Sequence, residues 1–274
     1  MEKPTSQMNF IRHYLLAVQF FTRIPITGVL ADWVGFSPAM LRASAGHFPG
    51  VGVLVGAVAA GVYALLTVLL PDSGYAPLVA AVLSTIVTVL VTGGFHEDGL
   101  ADVADGLGGS YDRDRALEIM KDSRVGAFGA MALSLALLAK VALLALLGSM
   151  DAELLTICSA IFAAHVVSRT LPLLLIVWLP HVGDTAATKS KPLADQISLS
   201  SLLTAFIWCF IALSLILWAQ AAIDLIVACS FAVIALLWMG ALFKRRLQGF
   251  TGDCLGATQQ VCEIAFYLGL AIAL

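Results

Sequence analysis

Long apolar runs alternate along the chain with short segments that hold nearly all of its charge. A helix needs about 20 apolar residues to cross a bilayer. Seven such runs are readable, at roughly 50–70, 77–95, 126–148, 155–179, 201–222, 225–243 and 255–274. The fourth contains His165, Arg169 and Pro172. Proline removes a helix hydrogen bond, so a kink is expected there. The last contains Glu263. Residues 8–22 mix Arg12, His13 and Gln19 with Phe10, Leu15, Leu16, Phe20 and Phe21. That pattern suits a helix lying in the membrane interface or packed beneath the bundle, ended by Thr22-Arg23-Ile24-Pro25. Residues 115–121 can form a short helix, and Gly52, Gly56 and Gly61 suit close helix packing. The fold class predicted is an all-α integral membrane protein. It has about seven transmembrane helices, an N-terminal interfacial helix and short cytoplasmic helices, in a single polytopic domain, 1–274.

Composition agrees. The chain is 60% hydrophobic and 12% charged, against about 25% charged in soluble domains. Its net charge of −3 gives no reason to expect nucleic acid. The five cysteines form no Cys-x-x-Cys pair and four lie in apolar runs, so neither a disulfide nor a zinc site is expected. The polar N-terminus shows no cleavable signal peptide. Charge then sets an orientation. Lys3, Arg12, Arg23 and Arg42 precede the first run. Arg113, Arg115, Lys121 and Arg124 lie between the second and third, Lys189 and Lys191 between the fourth and fifth, and Lys244, Arg245 and Arg246 between the sixth and seventh. The alternate loops carry no Lys or Arg. By the positive-inside rule the charged side is cytoplasmic, which places the N-terminus inside and the C-terminus outside.

The segment after the second run, Gly93-Gly94-Phe95-His96-Glu97-Asp98-Gly99-Leu100-Ala101-Asp102-Val103-Ala104-Asp105-Gly106, is the richest in candidate chemistry. On a helix Asp98, Asp102 and Asp105 lie within roughly 60° of one another. Three carboxylates on one face repel unless a cation sits among them, and oxygen-only ligands favour a hard ion such as Mg²⁺. The alternative is a solvated acidic patch paired with Arg113, Arg115 and Arg124. Downstream, Lys121-Asp122-Ser123-Arg124 followed by Gly126 and Gly129 is suited to gripping phosphate, or else is a basic membrane-facing loop with Ser123 capping the third span. Thr251 or Asp253 can cap the last helix. Glu263 lies about 15 Å beyond Asp253 on a continuous helix, too far to share an ion. A carboxylate at that depth is a functional candidate, unless Arg169 or Lys140 simply neutralises it. His165 and Arg169 share a helix face, and Arg169 either reaches a substrate phosphate or pairs with Glu263. Arg23 and His47 are polar groups at the cytoplasmic surface.

These parts suit metal-assisted phosphoryl-group transfer. CDP-alcohol phosphotransferases offer an analogy in chemistry, but Asp102 stands where their signature has Arg, and the later half of that signature is absent. A closer resemblance covers nearly the whole chain. Thr22-Arg23-Ile24-Pro25, Phe48-Pro49-Gly50-Val51-Gly52, Gly94-Phe95-His96-Glu97-Asp98-Gly99-Leu100-Ala101-Asp102 with Asp105-Gly106, Met120-Lys121-Asp122-Ser123-Arg124-Val125-Gly126, and Thr251-Gly252-Asp253-Cys254-Leu255-Gly256-Ala257 occur in order. Together they resemble the cobalamin synthase family (adenosylcobinamide-GDP ribazoletransferase). Gln248 departs from that family, which commonly has a second glycine there.

The resemblance implies attack on adenosylcobinamide-GDP by a ribose hydroxyl of α-ribazole, or of its 5′-phosphate, with release of GMP. It implies Mg²⁺ dependence and residence in a bacterial or archaeal cytoplasmic membrane. The residues expected to hold Mg²⁺ are Asp98, Asp102 and Asp105, with Glu97 and Asp253 as further contacts. His96 or one of the carboxylates takes the proton. Lys121 and Arg124, flanking Asp122 and Ser123, bind the pyrophosphate, with Arg23, Arg169 and Thr251 as further anchors. His165 and Glu263 remain intramembrane polar groups. The expected partners are the two substrates and the lipid bilayer, with no nucleic acid; homo-oligomerisation stays open. The competing class is an ion-coupled transporter using Lys140, His165, Arg169 and Glu263. Clustering of the polar chemistry at one face favours an enzyme.

Overall fold

The computed structural model describes residues 6–150, 153–183, 196–219 and 224–274; Lys3, Lys189 and Lys191 lie outside them. The described elements are helices α1 (Ser6–Phe21), α2 (Gly28–Val34), α3 (Pro38–Ser44), a 3₁₀ turn (Ala45–His47), α4 (Phe48–Leu69), α5 (Ala76–Thr92), α6 (Phe95–Gly109), α7 (Arg113–Ile119), α8 (Ala127–Ser149), α9 (Leu154–Thr170), α10 (Leu173–Trp178), α11 (Leu199–Trp218), α12 (Leu225–Arg246) and α13 (Gly252–Ala273). Among the described residues the only β feature is an isolated bridge between His181 and Phe250.

Six segments are long and apolar enough to cross a membrane: Pro38–Leu69, Ala127–Ser149, Leu154–Trp178, Leu199–Trp218, Leu225–Arg246 and Gly252–Ala273. The chain is thus an all-helical, multi-pass membrane protein. A seventh is reached if α5 and α6, bent by 90° at their junction, count together as one broken span. Glycine permits that corner. Gly93 and Gly94 both take left-handed backbone angles, φ 69° and 70°, which residues with a Cβ adopt at a cost. The backbone N–H of Arg23 donates to the Val91 carbonyl at 2.7 Å, tying the end of α1 to the corner. α6 carries four carboxylates and packs between α13 and α8.

In lipid, helices associate through close packing and polar contacts, because the tails are as apolar as leucine. α9 is the central helix, with 83% of its span buried against 17% for α8 and 22% for α11. α4 packs along α9 where Gly52 and Gly56 face the backbone of His165, Val166 and Phe162, whereas Gly61 faces open space. The expected kink is present: α9 ends at Thr170, and α10 resumes after Pro172. α1 lies against the bundle end. Its Arg12 Nε donates to the Val34 carbonyl at 2.9 Å, while Phe10 and Ile11 stay about half exposed.

Two expectations need correction. His47 is not a surface group: it is 3% exposed, ringed by Phe10 and Trp208, with Trp208 Nε1 donating to its Nδ1 at 3.3 Å. Ser123 does not cap the third span. α8 starts at Ala127, and its first N–H groups are satisfied by Asp105 from another helix.

Candidate active site

Helix α6 settles which carboxylates can work together. It packs between α13 and α8, so its side chains divide between two neighbours and the open end of the bundle. Gly99 is where α6 meets α13: a Cβ there would stand 2.8 Å from the Asp253 carbonyl oxygen. This close approach brings Asp253, in the first turn of α13, beside Asp98 and Asp102. Asp98 is exposed; Asp102 and Asp253 are half-buried. The Asp102 carboxyl is pushed up from 3.8 to about 7, first by burial and then by the charges of Asp253, Asp98 and Asp105. The neighbouring charges acting on it are carboxylates, so the repulsion predicted from spacing is present.

The other candidates are distributed differently. Asp105 accepts the backbone N–H of Gly126 at 2.7 Å and of Gly129 at 2.8 Å. Its carboxylate thus caps α8 from a distance, a role the three-aspartate expectation did not include. Glu97 points into the bundle at 5% exposure. One of its oxygens accepts from Gln260 at 3.1 Å, and the other has no partner. His96 sits about 200° around the helix from Asp98, stacked on Phe48 with ring centroids 5.4 Å apart. Burial holds its pKa well below the usual histidine value, so the ring is neutral and a weak proton acceptor. The Thr251 hydroxyl accepts from Cys254 N–H as the α13 cap and donates to Asp253 at 3.3 Å. It positions Asp253; it does not reach outward.

The basic segment lines an open cleft with Asp105 on its wall. Arg115, Lys121, Asp122 and Arg124 stand around it. Arg124 forks onto Asp122 through Nε at 3.0 Å and Nη2 at 2.5 Å. Asp122 is held down to about 2 by those bonds. Ser123 is exposed beside them. Arg23 is exposed over the α5–α6 corner. Arg113 Nε donates to Leu247 at 2.7 Å, and Arg246 Nη2 to Leu107 and Ser110 at 3.0 and 2.7 Å. These two arginines therefore fasten α6 and α7 to the end of α12.

The intramembrane polar groups form their own cluster. Lys140 pairs with Glu263 at 2.6 Å, and His165 Nε2 lies 3.7 Å from the same carboxylate. Gln259 donates to Glu263 at 2.8 Å and to Ser168 at 3.0 Å, Gln260 donates to Gln259 at 2.9 Å, and Tyr267 donates to Glu263 at 3.4 Å. Lys140 is thus the counter-ion. Arg169 is 1% exposed, hydrogen-bonds His165 at 2.9 Å and lies over Phe48, so it is a core group and does not reach the cleft. Gln259, Gln260, Ser168 and Tyr267 were not singled out from sequence. The signal was there, in two glutamines one turn before Glu263 in an apolar helix.

Among the described residues, no group of three or more His, Cys, Asp or Glu is drawn together tightly enough to hold a metal by itself. Mg²⁺ commonly takes only one or two carboxylates and completes its shell with water and substrate phosphate. Two half-buried carboxylates, Asp102 and Asp253, with Asp98 exposed beside them, fit that mode of binding.

A multi-pass membrane transferase is the class that this fold and site define. The chain belongs to the cobalamin-5-phosphate synthase family, whose model matches residues 13–271. It is 73% identical to the adenosylcobinamide-GDP ribazoletransferase of Polaromonas sp. strain JS666, covering 99% of each chain. It is 69% identical to that of Polaromonas naphthalenivorans, over 97% of this chain and all of the relative. Identity to the Vibrio cholerae protein of the same name is 40%, over 93% and 91%. No solved structure matches it.

Proposed function

We propose that this chain transfers the adenosylcobinamide-phosphate group from adenosylcobinamide-GDP to a ribose hydroxyl of α-ribazole or its 5′-phosphate, releasing GMP. Its family membership supports the reaction. The observation that carries the mechanism is the set of mutually repelling carboxylates Asp98, Asp102 and Asp253, with Asp102 about one helical turn from Asp105 on the wall of the cleft that Arg115, Lys121 and Arg124 line. Asp98, Asp102 and Asp253 would hold Mg²⁺, which supplies neutralisation of phosphate charge and alignment of the reacting oxygens. Lys121 and Arg124 engage the pyrophosphate, Arg124 exchanging its fork with Asp122 for one with phosphate. Arg23 at the helix corner is a further anchor. One of these carboxylates takes the proton from the attacking hydroxyl.

We place the site at the cytosolic face of the cytoplasmic membrane. Arg12, Arg23, Arg42, Arg113, Arg115, Lys121, Arg124, Lys244, Arg245 and Arg246 cluster at the site end, whereas the described loop residues of the opposite end include no Lys or Arg. The test is purified protein in lipid with Mg²⁺, adenosylcobinamide-GDP and α-ribazole, following GMP. Production of GMP that chelator abolishes and Mg²⁺ restores is expected. Folded protein that yields no GMP, or yields it equally in chelator, refutes the reading.

A further inference from the structure

One face of α13 carries a continuous row of groups. Asp253, Gly256, Gln260, Glu263 and Tyr267 follow at spacings of three and four residues, which puts them on one side of the helix. The row runs from the carboxylates at the bundle end to the buried pair of Glu263 with Lys140. Helix α6 crosses it at two glycines. A Cβ at Gly256 would stand 3.3 Å from the His96 Cα, and one at Gly99 would stand 2.8 Å from the Asp253 carbonyl oxygen. Such a crossing brings two backbones close, but glycines offer no side chains to interlock. Something else must fix the roll of α6 about its own axis. Its far end is held by the bonds of Asp105 to the start of α8. At the crossing, among the described residues, one side-chain hydrogen bond joins α6 to α13: Gln260 Nε2 donates to Glu97 at 3.1 Å.

Gln260 is itself held. The same nitrogen donates to Gln259 at 2.9 Å, and Gln259 donates to Glu263 at 2.8 Å and to Ser168 of α9 at 3.0 Å. Glu97 thus hangs on a chain of amides anchored in the bundle core. It is 5% exposed, and its second oxygen has no partner. A buried carboxylate so poorly satisfied is costly, and an apolar residue of that size would pack as well. We infer that Gln260 is a positioning residue: by holding Glu97 it sets the roll of α6 that turns Asp98 and Asp102 toward Asp253. The inference rests on the metal reading of those aspartates given above. Asp98 lies about 100° and Asp102 about 140° around the helix from Glu97, so a roll of about 20° moves a carboxylate at about 6 Å from the axis by about 2 Å. Mg²⁺ demands near-ideal ligand geometry, and a shift of that size destroys it. Glu97, placed by sequence among the Mg²⁺ contacts, acts on the ion only through α6.

The test uses the full chain in lipid nanodiscs, with folding followed by thermal unfolding. Mn²⁺ is the probe, its binding read by electron paramagnetic resonance without turnover. GMP release gives the KM for adenosylcobinamide-GDP at saturating Mg²⁺ and the Mg²⁺ concentration for half-maximal rate. Gln260→Met keeps the volume and removes the donor. It should weaken Mn²⁺ binding and raise the half-maximal Mg²⁺ concentration about tenfold, with that KM within about twofold of wild type. It should also lower the unfolding temperature, because Glu97 is left buried without a partner. Adding Glu97→Met removes the orphan, and should restore the unfolding temperature but not the metal affinity. Glu97→Gln keeps an oxygen acceptor toward Gln260, and should hold Mn²⁺ affinity within about threefold of wild type, well short of the loss in Gln260→Met. Unchanged metal affinity in Gln260→Met overturns the inference. So does a double variant that recovers metal affinity along with stability, since the contact is then a packing element alone. A loss in Glu97→Gln as large as in Gln260→Met makes Glu97 a direct ligand and overturns it too. Should Gln260→Met not fold, the double variant and Glu97→Gln decide. Wild type that binds no Mn²⁺ refutes the metal reading and the inference with it, whereas wild type that binds Mn²⁺ but releases no GMP refutes only the reaction.

Discussion

Two sets of acidic groups in this molecule, barely 15 Å apart along α13 by helix rise, have opposite surroundings. Glu263 is 1% exposed, where an isolated charge would be intolerable. Yet it is fully answered by Lys140 at 2.6 Å, Gln259 at 2.8 Å and Tyr267 at 3.4 Å. Asp102 is only half-buried, and its carboxyl feels three other aspartates. Depth is therefore a poor guide to function here. A buried charge with its partners in place holds helices together, whereas the shallower group of like charges is the one we propose to bind a ligand.

The largest effect should come from breaking the deep pair. Glu263→Gln leaves Lys140 without its counter-ion and should lower stability by about 3–5 kcal/mol, read as thermal unfolding in detergent, whereas Lys140→Met with Glu263→Gln recovers most of that loss. If the single and double variants unfold alike, the pair is not the structural element described. At the mouth the effect should fall on turnover instead. Asp98→Asn or Asp102→Asn should cut GMP release by about 10²–10³-fold with no fall in unfolding temperature. Full turnover by both folded variants would sink the metal assignment.

Asp105 tests the line between the two sets. Asp105→Ala removes two capping bonds of α8 and should cost about 1–2 kcal/mol, leaving Mg²⁺ affinity unchanged in calorimetric titration; a Mg²⁺ affinity that drops with it would return Asp105 to the ligand set. Arg124→Ala removes only an exposed pair, worth less than about 1 kcal/mol. It should leave unfolding unmoved while raising the KM for adenosylcobinamide-GDP about tenfold, since hydrogen bonds to charged groups contribute about 1.5–3 kcal/mol.

A last test is pH dependence. Asp102 titrates near 7 in the folded protein against an ordinary 3.8, so between these values the folded state holds the extra proton. Without metal, stability should fall as pH rises from about 4 to about 7 and level off above. Mg²⁺ should then raise the unfolding temperature more at pH 8 than at pH 6. Asp102→Asn should flatten both trends, and persistence of either in that variant assigns it to another group.

Much of this was legible beforehand, because it depends on local periodicity. Apolar runs located the crossings, Pro172 located the break between α9 and α10, and the i, i+4 spacing placed Asp98 and Asp102 on one helix face. Less was legible where one residue type serves several ends. Asp105 shares the face of Asp98 and Asp102, but it lies beneath the start of α8 and is consumed by Gly126 and Gly129. Arg169 reads in sequence either as a phosphate ligand or as a partner of Glu263, and it is a core group on Phe48 and His165.

The sequence by itself determined the class: a helical membrane protein with its charge gathered at one end and carboxylates aligned on a helix there. Hydrophobicity, helical repeat and the cost of placing charge in lipid are properties of the chain alone. Only the tertiary structure decided how the polar groups were allotted. It assigned Lys140 to Glu263, Asp105 to α8, Asp253 to the carboxylates of α6, and His96 to the ring of Phe48. Those assignments turn on contacts between residues as far apart as 99 and 253 or 97 and 260. A helix dictates which side chains face the same way, but the helix packed against it dictates what they meet.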